Sequence, residues 1–210
     1  ENIVIHENYY FDRDINKPKN LDLINLEKKI NLLRRENEKI ILHQGQISEI
    51  RGSKEIVLLV NSLPENFKVL LIGINYDDYQ EFLKMINKSK KNAVVFGGFI
   101  DYQHIKEVYK IIDYCLIIYK NLNLNNKYCA PNRVYLAYYF GKPIIANKEN
   151  PVLCDFVNKT GYGTLFDDHS NLTLMFNLLQ DLPTFTDKLY LKNNINPKKI
   201  VDIYNKLIKT

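Results

Sequence analysis

The chain repeats one pattern along its length: a short apolar run that ends at a glycine, followed by about ten residues with apolar positions at helical spacing. Three of these runs, each with its glycine, are 39–43 with Gly45, 68–72 with Gly73 and 92–96 with Gly97. Near-continuous apolar runs are typical of strands buried on both faces of a sheet, and their alternation with helices favours right-handed crossovers between parallel strands. The pattern therefore predicts a doubly wound α/β domain with a parallel sheet and helices on both faces.

The same reasoning places every element. The predicted strands are 3–5, 39–43, 68–72, 92–96, 113–119, 144–146 and 161–166. The predicted helices are 21–36, 54–63, 76–87, 101–111, 131–140, 151–158, 171–179 and 197–208. No linker or charge block marks a boundary, so 1–210 is interpreted as a single Rossmann-like domain. Because the chain begins at Glu1 without a methionine, we expect a fragment of a longer protein.

Composition narrows the classes of function. The hydrophobic share of 46% and the charged share of 25% are ordinary for a globular protein, and no apolar run approaches the ~18–20 residues of a membrane span. The net charge of +5 is spread over loops and helix exteriors, so we do not expect nucleic-acid binding. Three cysteines without metal-ligand spacing predict reduced thiols in the cytoplasm and no metal site.

The start of one predicted helix indicates an anion site. Pro131 has the fixed φ that suits the first turn of a helix, and Gly141 ends that helix just before the apolar run 144–146. The first N–H groups of a helix have no partner within it and attract phosphate. Arg133 adds a guanidinium whose geometry matches phosphate oxygens.

A second cation follows the first core strand. The loop 45–52 begins and ends with glycine, which permits close approach of the backbone, and it carries Arg51. In doubly wound sheets, ligands bind outside the carboxyl ends of the strands. Arg51 and Arg133 together therefore predict a two-sided cationic clamp for a diphosphate. His43, at the end of the strand before this loop, is interpreted as a satisfied core or edge histidine rather than a catalytic one.

Four stretches carry a family pattern: ILHQGQISEIRG at 41–52, VVFGGFIDYQHIKEVYKIIDYCLIIY at 94–119, APNRVYLAYYFGKPIIA at 130–146 and GYGTLFD at 161–167. They resemble the carboxy-terminal, donor-binding domain of GT-B glycosyltransferases, in particular the retaining enzymes of family 4. The resemblance spans roughly residues 3–179 and covers half of such an enzyme. It implies that the terminal segment 195–210 packs back toward an amino-terminal half that binds the acceptor.

The resemblance also implies roles for residues. The residues expected to bind the diphosphate of the donor are Gly45, Gln46, Arg51, Ala130, Pro131, Asn132 and Arg133. The residues expected to bind the nucleoside are Gly98, Phe99, Ile100, Tyr102 and Leu136, with Tyr102 as a stacking partner. Tyr128 is expected to lie in the sugar site. The sequence departs from the family at three of these positions, because Gln46 replaces the more usual arginine and the two family glutamates fall on Tyr128 and Leu136.

The function that the resemblance implies is transfer of a sugar from a nucleoside diphosphate to a glycan or lipid-linked acceptor, with retained configuration and without a metal or other cofactor. We expect a bacterial protein of surface or capsular polysaccharide synthesis, in the cytoplasm, with association at the inner face of the membrane left open. This half alone is expected to be inactive. The base, the sugar and the acceptor are not predicted.

Two alternatives stay open. The first is a non-catalytic module of the same fold that binds a nucleotide sugar or a partner, because Tyr128 and Leu136 stand where the family has glutamates. The second is an unrelated doubly wound domain, flavodoxin-like or a receiver. A receiver needs clustered aspartates at a strand end, and Asp77 and Asp78 are poorly placed for that.

Overall fold

The structure is a computed structural model that describes residues 18–35, 37–167 and 169–182. Its strands are β1 (Lys39–Gln44), β2 (Phe67–Ile72), β3 (Val94–Gly98), β4 (Tyr114–Ile117), β5 (Ile144–Asn147) and β6 (Gly163–Phe166). Its α-helices are α1 (Leu21–Arg35), α2 (Ser53–Asn61), α3 (Tyr76–Met85), α4 (Ile105–Ile111), α5 (Leu124–Tyr128), α6 (Asn132–Tyr139), α7 (Pro151–Thr160) and α8 (Leu172–Asp181). The predicted strand 3–5 and terminal helix 197–208 lie outside the described residues.

The six strands form one sheet in the order β3-β2-β1-β4-β5-β6, and every neighbouring pair is parallel. Successive side chains of a strand point to opposite faces. In β1, Ile40 and Leu42 pack with residues of α1, α4, α6 and α7, whereas Ile41 packs with residues of α2, α3 and α8. Helices therefore cover both faces, and the predicted doubly wound α/β fold is confirmed.

The strand order reverses between β1 and β4, since the chain adds β2 and β3 on one side and β4 to β6 on the other. Such a switch point opens a crevice outside the carboxyl ends of the strands. At this edge, glycines allow the chain after β1 to lie close to the chain after β2. The Gly45 N–H donates to the Ile72 carbonyl over 2.8 Å, and a Cβ atom at Gly73 would lie 3.2 Å from Cα of Gly45. The fold itself thus positions a crevice beside the loops after β1 and β4.

Some elements differ from the sequence prediction. A 3-10 segment, Lys88–Ala93, precedes β3, so that strand begins at Val94 instead of residue 92. The predicted loop 119–131 contains α5, whose first turn is capped by the side chain of Asn123, which accepts from the Asn126 N–H over 2.9 Å. A five-residue helix is too short to show helical periodicity in sequence.

Among the helices of the described residues, none combines the length and the apolar character that a membrane span requires.

Candidate functional site

The loop after β1 folds into a tight turn before α2 begins. The Arg51 N–H donates to the Ser48 carbonyl over 3.0 Å, and the Gly52 N–H donates to the Glu49 carbonyl over 2.9 Å. Gly52 has a φ of 71°, and a Cβ atom there would lie 2.1 Å from Cγ2 of Ile118. Because only glycine fits both the backbone conformation and the space, this turn fixes where the Arg51 side chain leaves the chain.

We expect Gly52→Ala to destabilise the protein more than Gly161→Ala. Both glycines have left-handed φ values, 71° and 64°, but no atom lies within 4 Å of a Cβ built at Gly161. The strained conformation costs about 1 kcal/mol at either position, and the clash at Gly52 adds about 1–2 kcal/mol. Urea denaturation of the two variants measures the difference. Equal losses of stability would show that Ile118 moves aside at no cost.

The guanidinium of Arg51 lies against the ring of Tyr119, with Cζ 4.2 Å from the ring centroid. Its Nη1 atom is buried and has no hydrogen-bond partner among the described residues. Burial, and then the charge of Arg133, lower the pKa of Arg51. Burying a hydrogen-bond donor without an acceptor costs free energy. An oxygen atom of a bound anion would be the acceptor for the N–H of Nη1.

Arg133, in the first turn of α6, reaches the same ring. Its Nη1 donates to the Gln44 carbonyl, its Nη2 donates to the phenolic oxygen of Tyr119 over 3.2 Å, and its Cζ lies 5.5 Å from the ring centroid. Within the described residues, neither Arg133 nor Arg51 forms a salt bridge with a carboxylate. These two residues, called the arginine pair below, concentrate positive charge that an anion would neutralise.

The start of α6 adds to this charge. The helix begins at Asn132, and Pro131 is its N-cap, in extended conformation with φ −69° and ψ 136°. The predicted helix start is therefore confirmed to within one residue, with Pro131 just before the first turn. The partial positive charge of a helix N-terminus favours an anion, and Arg133 lies in the same turn. Ala130 and Asn132 are the residues on either side of the cap.

Gly45 and Gln46 follow β1 directly, beside the Gln44 carbonyl that Arg133 contacts. Gln46 is exposed, and the structure gives its side chain no contact with the arginine pair within the described residues. The charge that the family pattern places at position 46 is therefore absent there. The second guanidinium of this site comes instead from α6.

His43 lies on β1 just below the loop that leads to Arg51. Its side chain is 1% exposed, and neither ring nitrogen has a partner with hydrogen-bond geometry, although backbone groups of Gly45 and Gln46 lie near enough to raise its pKa. Burial, and then the charge of Arg133, outweigh them and lower the pKa of His43 to about 3. The expectation of a satisfied core histidine is confirmed in its burial and wrong in its hydrogen bonding.

The predicted nucleoside residues separate into two groups. Phe99 and Tyr102 are 66% and 71% exposed beyond the end of β3, next to Gly98, which has a φ of 66°. Ile100 packs against the core, and Leu136 is 4% exposed within it. A nucleoside could therefore stack on the rings of Phe99 or Tyr102, whereas the side chain of Leu136 offers it almost no surface.

Tyr128, the predicted sugar residue, ends α5 and is 56% exposed, with Nζ of Lys127 5.4 Å from its ring centroid. A buried amide anchors this segment to α7. Nδ2 of Asn150 donates to the carbonyls of Asn126 and Cys129, each over 3.1 Å, while its Oδ1 caps α7. The segment that carries Tyr128 is thus fixed relative to the start of α7.

A second polar cluster lies on the other side of the turn after β4. Lys120 donates to the carboxylates of Glu55 and Glu149, and a pocket of about 190 Å³ opens beside them, with Asp167 and Lys148 on its wall. Every charge named here has a partner of opposite sign, since Lys148 Nζ lies 2.7 Å from Asp167. Over the described ranges no group of three or more His, Cys, Asp or Glu side chains could hold a metal ion. The absence of a metal from the reaction stays a prediction.

Sequence reasoning missed Tyr119 and Asn147. The sequence places Tyr119 at the end of a strand and gives no reason to single out Asn147. In the structure both arginines contact the Tyr119 side chain, and Asn147 forms hydrogen bonds with the Tyr119 backbone. The one signal in the sequence was position: both residues follow apolar runs at the carboxyl edge of the sheet. Nothing in the spacing indicated that they meet.

Comparison with known proteins decides the family. The model of the family described as glycosyl transferases group 1 matches residues 25–180, well over half of the chain. The chain belongs to this family. The suspected resemblance to GT-B enzymes is thereby confirmed at the level of family and fold. A search of curated proteins found no match.

Solved structures show the same fold at low sequence identity. HepE from Anabaena, in complex with UDP-glucose, has 20% identity and a TM-score of 0.56 over 81% of this chain and 45% of its own. WaaG, a glycosyltransferase involved in lipopolysaccharide biosynthesis, has 16% identity and a TM-score of 0.52 over 71% and 40%. AviGT4, involved in avilamycin A biosynthesis, has 13% identity and a TM-score of 0.53 over 72% and 44%. This group 1 chain spans less than half the length of each.

Proposed function

We propose that this group 1 glycosyl transferase chain binds a nucleoside-diphosphate sugar through the diphosphate, at the crevice between β1 and β4. The observation that carries the proposal is the arginine pair. Two guanidiniums contact one tyrosine ring, neither has a carboxylate partner among the described residues, and one buried N–H of Arg51 has no acceptor. A diphosphate would supply both the negative charge and the acceptor oxygens.

The chemistry that this site would support is departure of the nucleoside diphosphate. Cleavage of the bond between the sugar and the diphosphate leaves negative charge on the diphosphate oxygens. Arg51, Arg133 and the N-terminus of α6 would stabilise that charge as it develops, which accelerates the step. This half of the protein needs no general base for that role. Retention of configuration at the sugar belongs to the proposal and rests on the resemblance to family 4 enzymes.

The remaining parts of the donor are assigned by position along the edge of the sheet. The base would lie near Phe99 and Tyr102, whose exposed rings can stack, and the sugar near Tyr128 on α5. The acceptor, a glycan or lipid-linked molecule, would bind to a further domain of the protein. We assign the reaction to the synthesis of a surface polysaccharide, in the cytoplasm, with the whole protein peripheral to the inner face of the membrane.

Thermal unfolding in the presence of nucleotides tests the proposal. We expect one of UDP, GDP, CMP, ADP and dTDP to raise the melting temperature, since a ligand at 100 times its Kd stabilises the native state by about 2.7 kcal/mol. For a chain of this size that corresponds to about 5–10 °C. Pyrophosphate is expected to give a smaller shift of the same sign, and phosphate serves as the control. No shift with any nucleotide or with pyrophosphate, in a folded sample, would contradict the proposal.

A non-catalytic binding module of the same fold is the second candidate. It is favoured by the absence of a carboxylate at Tyr128 and Leu136, the positions of the two family glutamates. Both candidates predict nucleotide binding, so the thermal shift does not separate them. Release of free nucleoside diphosphate from a nucleotide sugar by the whole protein, with the nucleotide found above, separates turnover from binding alone.

A further inference from the structure

The backbone of Tyr119 is held by a side chain rather than by a strand. β4 ends at Ile117 and β5 ends at Asn147, so the ladder between them stops before Tyr119. Asn147 Oδ1 accepts from the Tyr119 N–H over 3.1 Å, and Asn147 Nδ2 donates to the Tyr119 carbonyl over 2.9 Å. The Asn147 side chain is 2% exposed, and its amide therefore continues the sheet pairing by one residue.

The residues after Tyr119 are fixed as well. The Lys120 N–H donates to the carbonyl of Ile50, and the Asn121 N–H donates to Glu149 Oε2 over 3.1 Å. Ile50 precedes Arg51 in the tight turn before α2. The segment after β4 and the turn that carries Arg51 are therefore one hydrogen-bonded unit.

The ring of Tyr119 is the common contact of the arginine pair. It lies 4.2 Å from Cζ of Arg51 and 5.5 Å from Cζ of Arg133, and its hydroxyl accepts from Arg133. Two guanidiniums repel each other, but each is attracted to the face of an aromatic ring. A neutral ring in contact with both guanidiniums lets the two charges lie near one point without a carboxylate, which would compete with a bound anion.

We infer that Asn147 and Tyr119 are positioning residues for the diphosphate: Asn147 fixes the backbone of Tyr119, and the Tyr119 ring and hydroxyl hold Arg51 and Arg133 where they converge. The inference rests on the proposed function. Neither residue needs to touch the donor, because each acts through the arginine pair.

The chemistry of position 147 makes the inference specific. An amide offers one acceptor and one donor, which match the N–H and the carbonyl of Tyr119. Asn147→Asp keeps the size and the acceptor but turns an oxygen toward the Tyr119 carbonyl, where two acceptors repel. Asn147→Leu removes both hydrogen bonds. Both changes free the Tyr119 backbone while leaving Arg51 and Arg133 in the sequence.

Calorimetric titration of the 210-residue chain with pyrophosphate tests the inference without knowledge of the base. We expect Asn147→Asp and Tyr119→Leu to weaken pyrophosphate binding about tenfold or more, and Tyr119→Phe, which keeps the ring and loses only the hydroxyl, to weaken it about threefold. Asn171→Ala is the control, because it removes an exposed amide that caps α8 without contact to the arginine pair. It should lower stability and leave pyrophosphate affinity unchanged.

A spectroscopic readout distinguishes positioning from general stability. Arginine side-chain N–H signals that lie over an aromatic ring are shifted in ¹H–¹⁵N spectra, so Asn147→Asp and Tyr119→Leu should move the signals of Arg51 and Arg133, whereas Asn171→Ala should not. If Asn147→Leu does not fold, the isosteric Asn147→Asp decides. Unchanged signals and pyrophosphate affinity within twofold of the wild type would overturn the inference alone. A wild-type chain that does not bind pyrophosphate would overturn the proposed function and this inference with it.

Discussion

Arg51→Glu is expected to weaken binding of pyrophosphate and of the preferred nucleoside diphosphate by about 100-fold or more. The change removes the guanidinium whose Nη1 has no acceptor among the described residues, and it places a carboxylate beside the same ring. That carboxylate would lie close enough to Arg133 to neutralise it, so the site loses both charges at once. Because an opposite charge then meets Arg133, we expect the fold to survive. Calorimetric titration measures the affinity, and circular dichroism confirms folding.

A matched pair of variants separates local charge from total charge. Arg51→Gln and Arg34→Gln each remove one guanidinium, but Arg34 is paired with Asp113 over 3.2 Å, far from the crevice. An exposed pair of this kind is worth about 1 kcal/mol or less. We expect Arg34→Gln to leave nucleotide affinity unchanged and Arg51→Gln to reduce it by about tenfold or more. Retention of wild-type affinity in Arg51→Glu would contradict the assignment of Arg51 to the diphosphate.

The fold could be predicted because the signals that define it are local. Each core strand is a run of apolar residues with a glycine near its end, and each helix that follows has apolar residues at helical spacing. In β1 and β2 the predicted and observed bounds agree to within one residue, at 39–43 against Lys39–Gln44 and 68–72 against Phe67–Ile72. Burial of both faces forces such runs to be almost wholly apolar, so the physical cause is visible in the sequence itself.

The candidate site was predictable only in part, because its geometry depends on contacts between distant residues. Arg51 and Arg133 could be assigned from their loops, since a glycine turn and a helix start are local features. The ring of Tyr119 that joins them could not, and neither could the amide of Asn147, which bonds a backbone 28 residues earlier in the chain. Spacing carries no information on which side chains meet across a parallel sheet.

At two positions the residue in this chain differs from the family pattern, and the structure shows the consequence. Leu136 aligns with a family glutamate, but in this chain it is an apolar residue on the inner face of α6, and burial in the core follows from that. Gln46 aligns with a basic residue and is exposed without a charge. The site therefore has no charge at position 46, and its two cations are the predicted Arg51 and Arg133, which both contact Tyr119. Residue type and packing therefore decide which aligned positions keep a role.

The second large effect that we expect is a pH-dependent stability due to His43. Its pKa is lowered to about 3 in the folded protein, against about 6.5 in an unfolded chain. Above pH 6.5 neither state binds the proton, and below pH 3 both do. Between these values only the unfolded chain is protonated at His43, so stability falls as the pH falls through this window. From pH 6.5 to 4.5 the loss due to this residue is about 2.3 kcal/mol, because the unfolded histidine is already half protonated at pH 6.5.

Urea denaturation of the wild type and of His43→Leu at several pH values isolates this contribution. Carboxylates that are paired in the folded state also lose stability in acid, but they do so equally in both proteins. The stability of His43→Leu relative to the wild type should therefore rise by about 2.3 kcal/mol between pH 6.5 and 4.5. Parallel profiles for His43→Leu and the wild type would mean that the crevice opens enough to hydrate His43, and the arginine pair beside it would then be exposed to water as well.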